Sequence, residues 1–177
     1  ADEPLRDMPN SKWQESGSDS TPGFSAVGYF FGKALGEALN VPVGLINSSV
    51  GGTPAEAWTS RPALGAVPEL KGILDRYAQA VESYPKAMEA HKVRLEKWRE
   101  SVKQARADGT PIPRQPQPPM GPDNPKRPAG LYYGKISPLQ PFAIRGAIWY
   151  QGEGNSGRAY ELRALLPTMI RCWRQDW

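Results

Sequence analysis

One cysteine and one histidine among 177 residues remove several kinds of chemistry at the outset. Cys172 alone cannot build an intramolecular disulfide framework, and with only His91 beside it the usual Cys/His zinc sites are excluded within this chain. Cysteine usage therefore leaves the redox compartment undecided. No window holds the ~18 consecutive apolar residues that a membrane-spanning helix requires. The opening residues, 1–13, lack the basic-then-apolar layout of a signal peptide.

Proline and glycine, by contrast, are in excess, at 19 and 18 residues. Their joint share stands well above the usual ~12%, so part of the chain must be loop or extended. With glycine counted, the apolar fraction reaches the ordinary globular range of roughly 45–50%. A packed core is expected, and the length suggests about one domain of ~100–200 residues. Charge is unevenly placed. The segment from Glu69 to Pro128 holds 12 basic and 8 acidic residues, so it carries the whole formal net charge of +4. Its interleaved signs describe a solvated helix face, which argues against nucleic-acid binding despite a basic pI.

Residues 1–20 read as an irregular polar leader, with Gly17-Ser18-Asp19-Ser20 as a solvated loop. Thr21-Pro22 predicts a helix start. Phe24, Val27, Phe31, Leu35 and Leu39 then follow at helical spacing, with Asn40 as the stop. Residues 41–47 read as a short buried strand opening into Gly51-Gly52-Thr53. In the middle, Leu70, Leu74, Tyr77, Val81, Tyr84, Met88, His91, Leu95, Trp98 and Val102 form a heptad seam. Pro85 predicts a kink or a junction of two helices there. Residues 111–128 hold 8 prolines and read as an extended strap. Together, 62–128 read as a helical and proline-rich insertion. Residues 143–150 read as a second buried strand, running into Gln151-Gly152-Glu153-Gly154-Asn155. A last helix carries Leu162, Leu165, Leu166, Met169, Ile170 and Trp173 on one face, with Pro167 inside it.

The useful chemical groups stand at the ends of the two expected strands. Glycine backbone amides and a side-chain amide are the donors that stabilise an oxyanion in acyl transfer, each worth roughly 3–4 kcal/mol. On spacing alone, a plain turn at Gly51-Gly52 and a helix cap at Gln151 is the simpler reading.

At this point the sequence resembles a family. Residues 24–32, 41–49 and Gly51-Gly52-Thr53-Pro54-Ala55-Glu56-Ala57-Trp58 look like the sialate O-acetylesterase branch of the SGNH hydrolases. The likeness is strongest in Arg127-Pro128-Ala129-Gly130-Leu131-Tyr132, in 144–153 with its Trp149-Tyr150-Gln151-Gly152-Glu153 run, and in Trp173-Arg174-Gln175-Asp176-Trp177. The resemblance implies an α/β fold, a three-layer α/β/α arrangement with a parallel sheet. Residues 21–61 and 129–177 would be parts of one esterase domain, interrupted by 62–128. It implies Gly52 and Gln151 as oxyanion donors, Asn155 as a reserve donor and Glu153 as orienting the turn. Gly51 and Trp58 would border the substrate, Trp58 more readily as a packing residue.

Two departures from the family pattern stand out. No Gly-Gln-Ser-like block precedes Phe24, and no histidine follows Gln151. A serine without a base is a weak nucleophile. His91 sits in the heptad seam, where packing is its natural role. The expectation is therefore an internal piece of a longer esterase, with the nucleophile before residue 1 and the His/Asp pair after 177. The expected activity is removal of O-acetyl groups from sialic acids or related glycans by a serine mechanism. No metal or organic cofactor, no nucleic acid and no membrane partner is implied, and the location expected is secreted or periplasmic. Partners would be an acetylated carbohydrate and the remainder of the polypeptide. The alternatives are a non-catalytic carbohydrate-binding or scaffolding remnant of the fold, or an acetylxylan-type esterase.

Overall fold

The computed structural model describes residues 3–9, 11–140 and 142–177; part of the expected leader falls on residues 1, 2 and 10, outside that set. Among the described residues four α-helices organise the fold: α1 (Ala26–Leu39), α2 (Arg61–Gly65), α3 (Lys71–Ala107) and α4 (Leu162–Asp176). Short 3₁₀ turns at Ala55–Trp58, Pro68–Leu70, Ser137–Leu139 and Glu153–Glu161, and a π-type turn at Tyr132–Ile136, connect and cap them.

The α/β expectation is corrected. Among the described residues there is no strand and no sheet, so the three-layer arrangement with a parallel sheet is not formed. Both segments expected as buried strands, 41–47 and 143–150, run as irregular and mostly exposed chain. Ile46, Ile144, Ile148 and Tyr150 are exposed, Tyr150 at 84%. The reason is pairing. A strand is stable as a rung of a ladder, and among the described residues no backbone hydrogen bond joins these segments to one another or to a neighbour. In 143–150 Trp149 is the half-buried residue, and in 41–47 Val43 and Leu45 are, Leu45 lying against Gly32.

The core is instead built from helices and turns. Leu165, Met169 and Cys172 of α4 recur at helical spacing and are buried against Ala55, Ala57, Trp58, Leu64, Leu70, Ala129 and Tyr132. Full burial of each large aliphatic side chain contributes roughly 1.5–3 kcal/mol. Three indole rings brace this core edge to face: Trp58 to Trp149 at 5.8 Å, and Trp149 to Trp173 at 5.5 Å.

α1 begins at Ala26 rather than after Thr21-Pro22, because Ser25 Oγ accepts the Gly28 amide as N-cap. Asn40 closes it in the left-handed region, at φ 51°. α3 runs unbroken through Pro85 for 37 residues, so no second helix begins there. Every residue of the expected seam is buried or half-buried. Its first residues, Leu70 and Leu74, pack into the core, and farther along the helix the proline-rich strap lies against it at Tyr84 and Trp98. Trp98 Nε1 donates to the Pro113 carbonyl at 2.8 Å, while Gly121 lies directly under the Tyr84 ring. The contact moves back along the helix as the strap moves forward. Fourteen helical residues span about 21 Å and eight extended ones about 25 Å, so the two lengths match.

Candidate functional site

The Gly51-Gly52-Thr53 turn and the Gln151–Asn155 turn, a hundred residues apart in sequence, are joined in the fold. Together they line a shallow cavity of about 260 Å³, bordered by Val50, Gly51, Gly52, Tyr150, Gln151 and Glu153 among others. Gly154 allows the approach: a Cβ there would stand 2.6 Å from the Thr53 carbonyl oxygen. Gly52 has a φ of 66°, a left-handed conformation that side chains resist. No hydrogen bond among the described residues engages the amide of Gly51 or Gly52.

Asn155 ties the turns together. It is 1% exposed, and its Oδ1 accepts from both the Ala55 amide, at 2.8 Å, and Gln151 Nε2, at 2.9 Å. Its Nδ2 donates to Glu56 Oε2 at 2.8 Å. These contacts fix which end of the amide is oxygen. Gln151 Nε2 also donates to the Thr53 carbonyl, at 3.2 Å. Both amide hydrogens of Gln151 are thus turned inward in this conformation.

Behind Asn155 lies a charged network. Glu56, 4% exposed, accepts from Arg158 Nη2 at 2.8 Å on its second oxygen. Arg158 Nε reaches Glu161 Oε2 at 3.2 Å, and Arg76 of α3 pairs with the other oxygen of Glu161. For Arg158, burial works against the charge. The attraction of Glu56, then of Glu161, outweighs it and holds the guanidinium above its ordinary pKa.

The structure therefore brings Gly51, Gly52, Gln151 and Asn155 to one place, with Glu153 exposed on the rim. Trp58 does not line the cavity. It is 2% exposed, and its Nε1 donates to Thr53 Oγ1 at 3.0 Å, so it supports the turn from beneath. His91 is buried in α3, with no partner for its Nδ1 among the described residues. No cluster of metal-ligating side chains is present among the described residues, and none of their helices is long and apolar enough to cross a membrane.

Glu56, Arg158, Glu161 and Arg76 were missed in the sequence. A signal was there: a carboxylate in the otherwise apolar run Ala55-Glu56-Ala57-Trp58 is costly to bury unpaired. Arg158 and Glu161, three apart, were the nearest readable pair.

Comparison with known proteins bears out the family resemblance. The chain is similar to a sialate O-acetylesterase of Rattus norvegicus, at 34% identity over 154 residues, 85% of this chain and 25% of that protein. Similar proteins of the same name occur in Mus musculus, at 32% identity with the same coverage, and in Homo sapiens, at 28% over 152 residues covering 85% and 21%. The chain thus spans about a quarter of the length of the rat and mouse proteins. No protein-family model and no solved structure matches it.

Proposed function

We propose that this relative of the sialate O-acetylesterases supplies the oxyanion-binding part of an enzyme that removes O-acetyl groups from sialic acids or similar acetylated glycans. The observation that carries this reading is the joined pair of turns: Gly51 and Gly52, whose amides no hydrogen bond engages among the described residues, line the same cavity as Gln151. A tetrahedral intermediate formed at an acetyl carbonyl places negative charge on one oxygen. Prepositioned N–H groups stabilise that charge more than they stabilise the neutral ester. In this reading the Gly52 amide is the first donor. Gln151 is the second, freeing one hydrogen from its longer bond, to the Thr53 carbonyl, while the bond to Asn155 holds the amide in place. The role of nucleophile or base is assigned to no residue of this chain; His91, the only histidine, is buried in α3, its Nδ1 without a partner among the described residues. A secreted or periplasmic location belongs to the same proposal.

The test is Gln151→Ala in the complete natural polypeptide that contains this sequence, assayed on an O-acetylated sialic acid. Turnover should fall roughly 10²–10³-fold with little change in KM. An unchanged kcat removes Gln151 from the site. One observation favours a second reading, a non-catalytic carbohydrate-binding module: both Gln151 amide hydrogens are already engaged. Sugar binding without turnover would decide for it.

A further inference from the structure

The network behind the cavity links elements that the sequence separates widely. Arg76 belongs to the long α3 helix; Glu161 and Arg158 belong to the turn before α4; Glu56 belongs to the turn after Gly51-Gly52-Thr53. Their contacts form one unbroken chain: Arg76 to Glu161, Glu161 to Arg158, Arg158 to Glu56, Glu56 to Asn155, Asn155 to Gln151. Glu56, Glu161 and Asn155 are each at least 94% enclosed, so loss of a partner would leave a buried polar group without its hydrogen bond. Arg158 itself has a non-helical backbone, φ −140° and ψ 41°, within the Glu153–Glu161 turn. Its guanidinium is the piece that turns the chain of contacts from one carboxylate to the other.

We propose that Arg76, Glu161, Arg158 and Glu56 are positioning residues, through which α3 sets the orientation of the Gln151 amide. This rests on the reading of Gln151 as an oxyanion donor. Asn155 has one oxygen and one amino group, and Glu56 commits the amino group. The oxygen is thereby left facing Ala55 and Gln151, which in turn aims the Gln151 amide. If Arg158 or its partners shift, Glu56 is free to rotate and Asn155 loses the contact that selects its orientation. The helical middle segment is then part of the site's machinery, although none of its residues lines the cavity.

Arg76 is the place to test this, because its side chain is 43% exposed and it is not one of the residues that form the core. In the complete natural polypeptide, Arg76→Met should lower kcat roughly tenfold with KM within about twofold, as expected for misplacement of a transition-state donor. In a Gln151→Ala background the same substitution should have no further effect, since the group it positions is gone. Additive losses would mark Arg76 as mere structural support and overturn the proposal. A normal kcat for Arg76→Met beside a depressed one for Gln151→Ala would overturn it too, and would leave the oxyanion reading standing. If Gln151→Ala itself has no effect, the oxyanion reading fails instead. Hydrogen exchange of the Gln151 side-chain amide, followed by NMR, then decides the positioning separately. Faster exchange in Arg76→Met supports it, and an unchanged rate overturns it. Arg76→Lys, which keeps the charge but loses the fork, should fall between wild type and Arg76→Met in both measurements.

Discussion

Asn155 Nδ2 stands 2.8 Å from Glu56 Oε2, across 99 positions of sequence, with both side chains almost wholly enclosed. A neutral amide is the residue this place requires, because it donates to the carboxylate on one side and accepts from Ala55 and Gln151 on the other. Asn155→Ala would leave the Ala55 amide and one Glu56 oxygen unpaired, costing about 2–4 kcal/mol. Asn155→Asp should cost more at pH 7, because it sets a second carboxylate against Glu56. Repulsion from Glu56 raises the pKa of the introduced carboxylate in the folded state, so part of the lost stability is recovered as pH falls through it. Urea unfolding at pH 7 and pH 5 checks this; an Asn155→Asp deficit that does not shrink at pH 5 would contradict it.

Two glycines in the joined turns should fail for different reasons. Gly154→Ala places a methyl group 2.6 Å from the Thr53 oxygen and 2.8 Å from its carbonyl carbon, both backbone atoms. The turns must move apart, and both stability and turnover should drop. Gly52→Ala meets open space, with only Lys126 Nζ 3.9 Å away, but its φ of 66° imposes roughly 1–2 kcal/mol of strain. Melting temperatures should fall for both variants. Crystal structures should show a displaced Thr53 carbonyl in Gly154→Ala alone.

The sequence was most legible where periodicity is local. The seam from Leu70 to Val102, the strap beside it and the apolar face of α4, apart from the exposed Ile170, follow from spacing that one helix or one proline run dictates by itself. The site turns were legible as chemistry, since Gly51-Gly52 and Gln151 carry donors wherever they are placed. The two strands were not. Residues 143–150 have the composition of a strand, yet pairing is a property of neighbours, and composition does not reveal whether a neighbour is present. The network through Glu56 and Arg158 was hidden for a similar reason. Its partners come from three separate stretches of chain, and only folding shows which carboxylate meets which guanidinium.

The three edge-to-face indoles separate packing from hydrogen bonding. Trp173 Nε1 donates to the Trp58 carbonyl at 2.9 Å, whereas Trp149 Nε1 is buried with no partner among the described residues. Replacement by phenylalanine keeps a ring at either place but removes the N–H. Trp173→Phe loses a hydrogen bond and orphans a carbonyl, for about 1–3 kcal/mol beyond the loss of ring area. Trp149→Phe removes a donor that was already unpaired, so its cost is that of lost area alone. Chemical denaturation should therefore rank Trp173→Phe as the more harmful, and the reverse order would refute the assignment of these two N–H groups.

Tyr132 gives the fold an alkaline limit. Its ring is 6% exposed, and its hydroxyl donates to Asp176 Oδ2 at 2.7 Å while accepting from Gln140 Nε2 at 3.0 Å. Burial first, then the hydrogen bond to the Asp176 carboxylate and the nearby Cys172, push the phenol above its ordinary pKa of 10.0. The folded protein therefore holds this proton at pH values where the unfolded chain has released it. A raised folded pKa means that the contribution is complete below about pH 10 and is lost as pH rises from there through the folded value. The slope is at most about 1.4 kcal/mol per pH unit for this one group. Tyr132→Phe should lower stability at pH 7 by roughly 1–3 kcal/mol, because it removes the hydrogen bonds to Asp176 and from Gln140. Above pH 10, however, its stability should decline less steeply than that of the wild type, and the two curves should converge. Urea unfolding between pH 8 and pH 11 measures both slopes, and parallel curves would show that the Tyr132 proton is not what links this fold to alkaline pH.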